Sequence, residues 1–202
     1  MDVDRKIREK FHIKGGDTLP YLGWVRNYTR QDLAKLFNEL GYTKGAEIGV
    51  ERGRFSKVLC TQIPKLQLKC IDPWAPFTHH NAATMENTFQ NAKLRLARFG
   101  DRIEFIRKIS LEAVKDIPDG SLDFVYIDAM HDFDFVMRDI INWVPKVRSG
   151  GIVSGHDYIK IQGYGVISAV DTYTRAHNIN SWFITAERDP RVNGSPSWFW
   201  AK

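Results

Sequence analysis

Residues 45–53 read GAEIGVERG, and this stretch decides the fold class. Its first part, Ala46–Val50, predicts a buried strand, and its later glycines predict a tight turn. Beyond the turn, an apolar stripe with helical spacing begins at Phe55 and ends at Pro64, which cannot continue a helix. A strand, a glycine turn and a helix in this order predict one unit of a parallel sheet with helices on its faces.

The same alternation of strand and helix continues in both directions. Before the stretch, Thr29 caps a predicted helix that runs to Leu40 and stops at Gly41. After it, the predicted strands are Gln67–Ile71, Ile103–Ile106, Leu122–Ile127 and Ile152–Val153, and the predicted helices are about Ala82–Phe99, Leu111–Val114, Val136–Val144 and Val166–His177.

The tail predicts the last part of the sheet. Segments 181–185 and 197–201 have strand character and are separated by a polar stretch, which favours an antiparallel hairpin. We therefore expect an α/β fold: a single doubly wound domain over residues 29–202, with a mostly parallel seven-stranded sheet. An N-terminal arm over residues 1–28 precedes this domain.

Composition excludes several classes of protein. The 202 residues are 43% apolar and 26% charged, as in an ordinary globular domain. Two cysteines, Cys60 and Cys70, cannot build a disulfide framework or a zinc site, so we expect buried thiols. No apolar run is long enough to span a bilayer, and the charged N-terminus does not resemble a signal peptide; we therefore expect a cytoplasmic location and no membrane partner.

The formal net charge of +5 raises the question of a polyanionic partner. The basic residues are scattered, and their densest cluster lies in residues 5–14 of the arm. A solvated face explains such a cluster better than a grip on nucleic acid or an anionic glycan does. Nucleic acid is therefore not the expected partner.

The glycine turn carries acidic chemistry. A dinucleotide fingerprint has glycines at the positions of Glu51 and Arg54, so that the backbone can approach a pyrophosphate. A glutamate here repels a pyrophosphate, which disfavours a nicotinamide oxidoreductase. S-adenosylmethionine has no phosphate and carries a sulfonium and an ammonium group, so it suits this turn better. A purely structural turn is the alternative.

The ends of the next two strands continue this pattern. Asp72 follows the second strand about 20 residues after the turn, where a carboxylate can bind a ribose diol; a solvated loop aspartate is the alternative. Ser110 follows the third strand and is placed to border an adenine ring. The pair His79 and His80 has no acidic partner nearby, so we expect lid residues rather than metal ligands.

Two acids and two histidines follow the fourth and fifth strands. Asp128 and Asp157 converge if these strands are neighbours, and a divalent cation would offset their charge, with His156 as a third ligand. Alternatively, Asp128 binds the cofactor and Asp157 caps locally. His131 lies one turn beyond Asp128 and could take a proton from a substrate hydroxyl; a structural histidine is the alternative.

These residues resemble a known family. The runs 45–50 and 71–74, with Gly53, Phe55 and Ser56, resemble the class I methyltransferases, which have a Rossmann-like fold. The runs 126–131, 150–153 and 156–158 are similar to the small methyltransferase domains that include macrocin-type sugar O-methyltransferases and cephalosporin hydroxylase-like proteins. The resemblance covers about residues 45–173.

The resemblance assigns roles to individual positions. It implies cofactor binding by Glu47, Gly49, Val50, Gly53, Phe55, Ser56, Asp72 and Trp74, catalysis by His131, and a metal at Asp128 and Asp157. The strand-end positions add Ser110 and Asp128 to the expected cofactor residues, Asp128 to the expected catalytic residues and His156 to the expected metal ligands. Macrocin-type enzymes have glutamate where His156 stands, which either argues against a metal or shifts it from magnesium toward manganese or another ion that accepts imidazole.

We therefore expect an S-adenosylmethionine-dependent O-methyltransferase acting on a hydroxyl of a sugar or other small molecule, metal-assisted, with His131 as general base. A nucleic-acid methyltransferase and a non-catalytic S-adenosylmethionine-binding module are the alternatives. The former usually has an Asn/Asp-Pro-Pro-aromatic motif after the fourth strand, which residues 127–130 lack. Enzymes of this resemblance often assemble, so a homo-oligomer is also compatible with the sequence.

Overall fold

The computed structural model describes residues 2–13, 21–26, 28–76, 81–186 and 195–202. The strands in these ranges are β1 (Tyr21–Arg26), β2 (Lys44–Ile48), β3 (Gln67–Ile71), β4 (Ile103–Ile106), β5 (Leu122–Ile127), β6 (Val147–Gly155), β7 (Ser181–Ala186) and β8 (Trp198–Ala201). The α-helices are α1 (Val3–Lys10), α2 (Arg30–Glu39), α3 (Arg54–Gln62), α4 (Ala82–Leu96), α5 (Ser110–Ala113), α6 (Phe133–Trp143) and α7 (Val166–Ala176). Among these described helices, none has both the length and the apolar character needed to cross a membrane.

The strands join one sheet in the order β1-β7-β8-β6-β5-β2-β3-β4. Strand β8 runs antiparallel to β6 and β7, and the other pairings are parallel. The predicted doubly wound α/β domain with an antiparallel C-terminal pair is thereby confirmed. Strand β1 lies within the expected arm and adds an eighth strand, which the sequence did not predict. Its segment reads YLGWVR, and an internal glycine weakens a strand pattern.

The core has two faces because successive side chains of a strand point to opposite sides of the sheet. On β5, Phe124 and Tyr126 belong to one buried cluster, and Val125 and Ile127 belong to the other. Helices α1 to α4 cover the first face, and α5 to α7 cover the second. Ile7 of α1 is fully buried in the first cluster, so this helix of the arm packs on the same core as the rest of the sheet.

Five neighbouring parallel strands, β4, β3, β2, β5 and β6, end at one edge of the sheet, here called the carboxyl edge. Adjacent strands lie about 4.8 Å apart, so side chains that follow them become neighbours. The segments leaving β2 and β5 touch at Gly49, where a Cβ atom would fall 2.0 Å from the carbonyl oxygen of Asp128. Gly49 also has a φ of 88°, so space and backbone conformation both require glycine.

Candidate functional site

The glycine-turn region, defined as residues 47–56 with Asp72, begins with a buried acid. Glu47 near the end of β2 is 2% exposed and accepts a hydrogen bond from the Ser56 hydroxyl of α3. Burial raises the pKa of Glu47 to about 8, and the neighbouring carboxylates of Asp128 and Asp72 add to this effect. A positively charged ligand at this turn would favour the ionised form of Glu47.

Asp72 connects the ends of β2 and β3. One carboxylate oxygen accepts from the backbone N–H groups of Val50 and Glu51, at 3.1 and 2.9 Å. The other accepts from the N–H of Trp74 at 2.8 Å. The net effect of burial, which outweighs these three hydrogen bonds, is to raise the pKa of Asp72. The predicted ribose-binding acid thus also holds two turns of the carboxyl edge together.

Three further predicted cofactor residues form the hydrophobic base of this region. Trp74 is 1% exposed and donates its indole N–H to the carbonyl oxygen of Glu51 at 2.8 Å. Phe55 is buried, with its ring centroid 4.2 Å from that of Tyr126. Gly53, with a φ of 67°, caps α3 and lies close enough to Leu96 that a Cβ atom would be 3.0 Å away. These residues therefore support the turn by packing and by one hydrogen bond to its backbone.

Ser110 lies at the start of α5, after β4, and joins a buried hydrogen-bond chain. Its hydroxyl donates to the Asp139 carboxylate and accepts from the indole N–H of Trp143 at 2.8 Å. Burial raises the pKa of Asp139 to about 6, although the hydrogen bond and the charge of Arg138 oppose this shift. The predicted adenine-side residue is therefore fixed from α6 below it.

Four residues at the ends of β5 and β6 form a second region, here called the acid–histidine cluster: Asp128, His131, His156 and Asp157. The His131 Nε2 atom lies 2.9 Å from Asp157 Oδ2 and 3.8 Å from Asp128 Oδ1. The His156 Nδ1 atom lies 3.3 Å from Asp157 Oδ1 and 3.7 Å from Asp128 Oδ1. The structure therefore brings the predicted base and the predicted metal ligands into one group.

The electrostatics of this cluster favour the charged forms of His131 and Asp157. The carboxylates of Asp128 and Asp157 raise the pKa of His131 to about 9 against the opposing effect of burial. Burial works against the ionisation of Asp157, but interactions with His131 and His156 outweigh it and hold the pKa of Asp157 well below its usual range. The Nε2 atoms of His131 and His156 are nevertheless buried without a partner in hydrogen-bonding geometry.

The potential metal ligands differ in part from the predicted set. Among the described residues, Asp128, His131 and Asp157 can each bring one ligand atom within 4.8 Å of the others. His156, the predicted third ligand, contacts both acids but does not belong to this closest group. The spacing of the residues along the chain could not distinguish the two histidines, since both follow the carboxyl edge.

The structure adds residues that the sequence reasoning missed. Arg30, the first residue of α2, lies at the carboxyl edge with its Nη1 atom 3.9 Å from Asp128 Oδ2. Exposed apolar side chains lie in the two segments that adjoin the cluster along the chain: Met130, Phe133, Ile161 and Tyr164. The Tyr164 ring stacks on the His131 ring with 4.4 Å between centroids. The predicted lid residues His79 and His80 lie outside the described residues.

The strand order, the acidic glycine turn and the polar groups at one edge are those of the class I methyltransferase fold. A family model described as a methyltransferase domain matches residues 46–158, more than half of the chain. The chain belongs to this methyltransferase-domain family, which confirms the predicted resemblance to methyltransferases. The finer resemblance to macrocin-type enzymes stays a prediction.

Solved structures share the fold at low sequence identity. An O-methyltransferase from Bacillus cereus in complex with S-adenosylhomocysteine has a TM-score of 0.64 and 13% identity, over 99% of this chain and 90% of that chain. TomG from Streptomyces achromogenes, an O-methyltransferase in complex with S-adenosylmethionine, has 0.60 and 14%, over 100% and 90%. A proposed rRNA methylase from Clostridium thermocellum has 0.60 and 11%, over 84% and 90%. The fold alone therefore does not distinguish the acceptors.

One curated relative matches a shorter segment. The protein y4gI of Sinorhizobium fredii is 37% identical over 62 residues, which are 30% of this chain and 7% of that protein. This chain therefore corresponds to a small part of that relative's length.

Proposed function

We propose that this protein transfers the methyl group of S-adenosylmethionine to a hydroxyl of a small molecule. The observation that carries the proposal is the position of the acid–histidine cluster directly beside the glycine-turn region. A methyl donor in the turn and a hydroxyl at the cluster would be adjacent, because β2 and β5 are neighbouring strands. The O-methyltransferases among the structural neighbours are consistent with this reaction.

The glycine-turn region fits the proposed cofactor in shape and charge. The absence of a Cβ at Gly49 lets the segments that leave β2 and β5 pack directly against each other, which brings the turn next to Asp128. Asp128, together with Glu47 once a cationic ligand favours its ionised form, would supply negative potential where an ammonium and a sulfonium group would lie. Asp72 retains acceptor capacity beyond its three backbone contacts, because each carboxylate oxygen has two lone pairs. These features support the predicted cofactor residues.

His131 would act as the general base. It would accept the hydroxyl proton as the new O–CH₃ bond forms and the S–CH₃ bond breaks, which leaves S-adenosylhomocysteine. Asp157, 2.9 Å away, would orient the imidazole and stabilise its protonated form. His131 must be neutral before it can act, and the positive charge of the cofactor nearby favours loss of its proton.

The surroundings of His131 suit an acceptor with a ring. Tyr164 stacks on His131, and Met130, Phe133 and Ile161 expose apolar surface in the segments that adjoin the cluster along the chain. A sugar or aromatic ring can lie against such a surface while its hydroxyl points to the base. The proposed acceptor is therefore a hydroxyl on a ring-containing small molecule, with a sugar as the first candidate.

The cluster also fits a divalent metal. Two carboxylates with imidazole nitrogens form a mixed donor set that suits manganese, iron or zinc better than magnesium. The buried Nε2 atoms without hydrogen bonds are further available donors. Asp128 and Asp157 would hold the ion together with one histidine, and the ion would acidify a bound hydroxyl. If His131 is that ligand, it cannot also serve as the base, so the two roles exclude each other.

Thermal unfolding tests the cofactor and the metal together. The melting temperature is measured with S-adenosylmethionine, S-adenosylhomocysteine or NAD, each with and without a chelator. A ligand at 100 times its Kd adds about 2.7 kcal/mol, which raises the melting temperature by roughly 5–10 °C for a domain of this size. We expect a shift with the first two ligands and none with NAD. A fall on chelation would support the metal, whereas an unchanged melt would argue against it.

Transfer of a labelled methyl group then tests the acceptor. Labelled S-adenosylmethionine is incubated with panels of glycosides, phenols and RNA, and label in each product is counted. Label in glycosides or phenols is the expected result. Label in RNA alone would replace the proposal with nucleic-acid methylation, and cofactor binding without any label would favour the non-catalytic module.

A further inference from the structure

We propose that Arg30 binds the α-carboxylate of the methionine part of S-adenosylmethionine. This inference rests on the cofactor assigned under the proposed function. It adds a residue from α2, which lies outside the segment matched by the methyltransferase-domain family.

The order of the strands locates the amino-acid end of the cofactor. Ser110 follows β4, Asp72 follows β3, and the glycine turn follows β2, so these positions run along the carboxyl edge in that order. An adenine at Ser110 and a ribose at Asp72 leave the amino-acid end at β2, beside Asp128 of β5. Arg30 reaches this same position, because its guanidinium lies close to Asp128.

Two features hold the Arg30 guanidinium in place. The capping box of Thr29 and Asp32 fixes the first turn of α2, and therefore the backbone of Arg30. The guanidinium carbon lies 5.2 Å from the centre of the Phe55 ring, at a distance typical of a cation–π contact. The side chain is 21% exposed, so it is ordered by its neighbours and still open to a ligand.

The existing ion pair does not use the full capacity of Arg30. Asp128 Oδ2 lies 3.9 Å from Nη1, which is longer than a hydrogen bond. A guanidinium offers five N–H donors in a planar fork that matches a carboxylate with two parallel hydrogen bonds. The Tyr126 hydroxyl engages one donor of Arg30, and the geometry leaves others available for a second carboxylate.

The charge of the cofactor makes such a donor necessary. Its amino-acid end carries an ammonium and a carboxylate on the same carbon. Glu47 and Asp128 suit the ammonium, but the same acids repel the carboxylate. Arg30 supplies the positive charge on the α2 side of these acids, so the two ends of the zwitterion meet opposite charges.

Isothermal titration with two ligands tests the assignment. S-adenosylhomocysteine is compared with its decarboxylated analogue, which keeps the adenosine and the amine. The variants are Arg30→Met, Arg30→Lys and a control, Arg175→Met, whose exposed side chain lies on the last turn of α7. Ligand-free melting temperatures confirm that each variant is folded.

Loss of a charge-assisted, two-pronged contact should weaken binding of S-adenosylhomocysteine roughly 10- to 100-fold in Arg30→Met. Arg30→Lys should lie between this variant and the wild type, and Arg175→Met should match the wild type. The decarboxylated analogue should bind the wild type and Arg30→Met equally, because the contact has no partner in it.

Equal weakening of both ligands in Arg30→Met would overturn the assignment, because Arg30 would then only shape the pocket. Unchanged binding of S-adenosylhomocysteine in Arg30→Met would overturn it as well. Failure of the wild type to bind S-adenosylhomocysteine at all is a separate result, which would overturn the proposed function and this inference together.

Discussion

The two halves of the carboxyl edge solve the burial of acids differently. In the glycine-turn region, Asp72 accepts three backbone hydrogen bonds and Glu47 accepts one from Ser56. In the acid–histidine cluster, carboxylate oxygens and imidazole nitrogens lie 2.9 to 3.8 Å apart, yet two imidazole nitrogens are buried without hydrogen bonds. In the glycine-turn region, both buried acids have hydrogen-bond partners within the protein. In the cluster, two buried nitrogens have none.

Backbone strain is present in both regions. Glu51, Trp74 and Asp157 have φ angles of 50°, 41° and 57°, which non-glycine residues rarely adopt. In the glycine-turn region, hydrogen bonds to and from Asp72 offset this strain. In the cluster, contacts of the Asp157 carboxylate with His131 and His156 offset the strain. Under the proposed function, the glycine-turn region would be a prearranged cradle for the cofactor, and the cluster would hold the groups that meet the reactants.

The largest expected effect is the loss of the proposed base in the cluster. His131→Ala should lower kcat roughly 100- to 10,000-fold, because the hydroxyl proton would lose its proposed acceptor. Affinity for S-adenosylhomocysteine should stay close to that of the wild type, since the glycine-turn region is untouched. The measurements are initial rates of labelled methyl transfer and isothermal titration of the product.

A matched control for His131→Ala is His177→Ala, whose exposed ring stacks on Tyr173 after α7, away from the carboxyl edge. This variant should keep the wild-type kcat. Turnover near the wild-type rate in His131→Ala would contradict the base assignment and leave Asp157 as the group to examine. A large loss of cofactor affinity would instead show that the two regions are not independent.

A smaller effect is expected when the glycine-turn region loses Asp72, which connects the turns after β2 and β3. Asp72→Ala removes the acceptor for the N–H groups of Val50, Glu51 and Trp74, which should lower the free energy of unfolding by about 2–3 kcal/mol. Asp72→Asn keeps one acceptor oxygen and should lose about half as much. Urea denaturation measures both, and titration of S-adenosylhomocysteine should show weaker binding in each.

Wild-type stability in Asp72→Ala would show that water satisfies these N–H groups as well as the carboxylate does. The two turns would then not depend on Asp72, and the contrast with the cluster would disappear. Reduced stability with normal cofactor affinity would separate the two roles, leaving Asp72 as a structural residue only.

The ends of three strands were predictable from sequence because buried strands are bounded by turn residues, whereas β2 ends at Ile48 instead of Val50 and β6 at Gly155 instead of Val153. Strands β3, β4 and β5 match their predicted ranges residue for residue, and the parallel arrangement then places Asp72 and Asp128 at one edge. Strand β1 was missed because it pairs with β7, far along the chain. Local pattern carries no information about such a pairing.

The details of the site were less predictable than its location. Asp72 accepts hydrogen bonds from three backbone N–H groups. This arrangement depends on turn conformations that the spacing of residues along the chain does not encode. The positive φ of Asp157 likewise has no signal in the sequence. Arg30 could have been suspected, since a helix that leads into a parallel strand begins near the carboxyl edge.

The smallest expected effect concerns Asp139, which extends the prearranged region to β4 through Ser110. Burial raises the pKa of Asp139 from 3.8 to about 6, so the folded state binds more protons than the unfolded state between these values. Stability is therefore lost as the pH rises, by about 1.5 kcal/mol between pH 5 and pH 8. Asp139→Asn keeps an oxygen for Ser110 and removes this dependence.

The measurement is urea denaturation of the wild type and Asp139→Asn at both pH values, with the difference between the two proteins compared. Taking the difference cancels groups that titrate equally in both, including the acid–histidine cluster. Relative to the variant, the wild type should be less stable at pH 8 than at pH 5. Parallel pH profiles would mean that Asp139 ionises at its ordinary pKa. Water would then reach the Ser110–Asp139 pair, and the prearranged part of the carboxyl edge would include the turns after β2 and β3 but not the segment after β4.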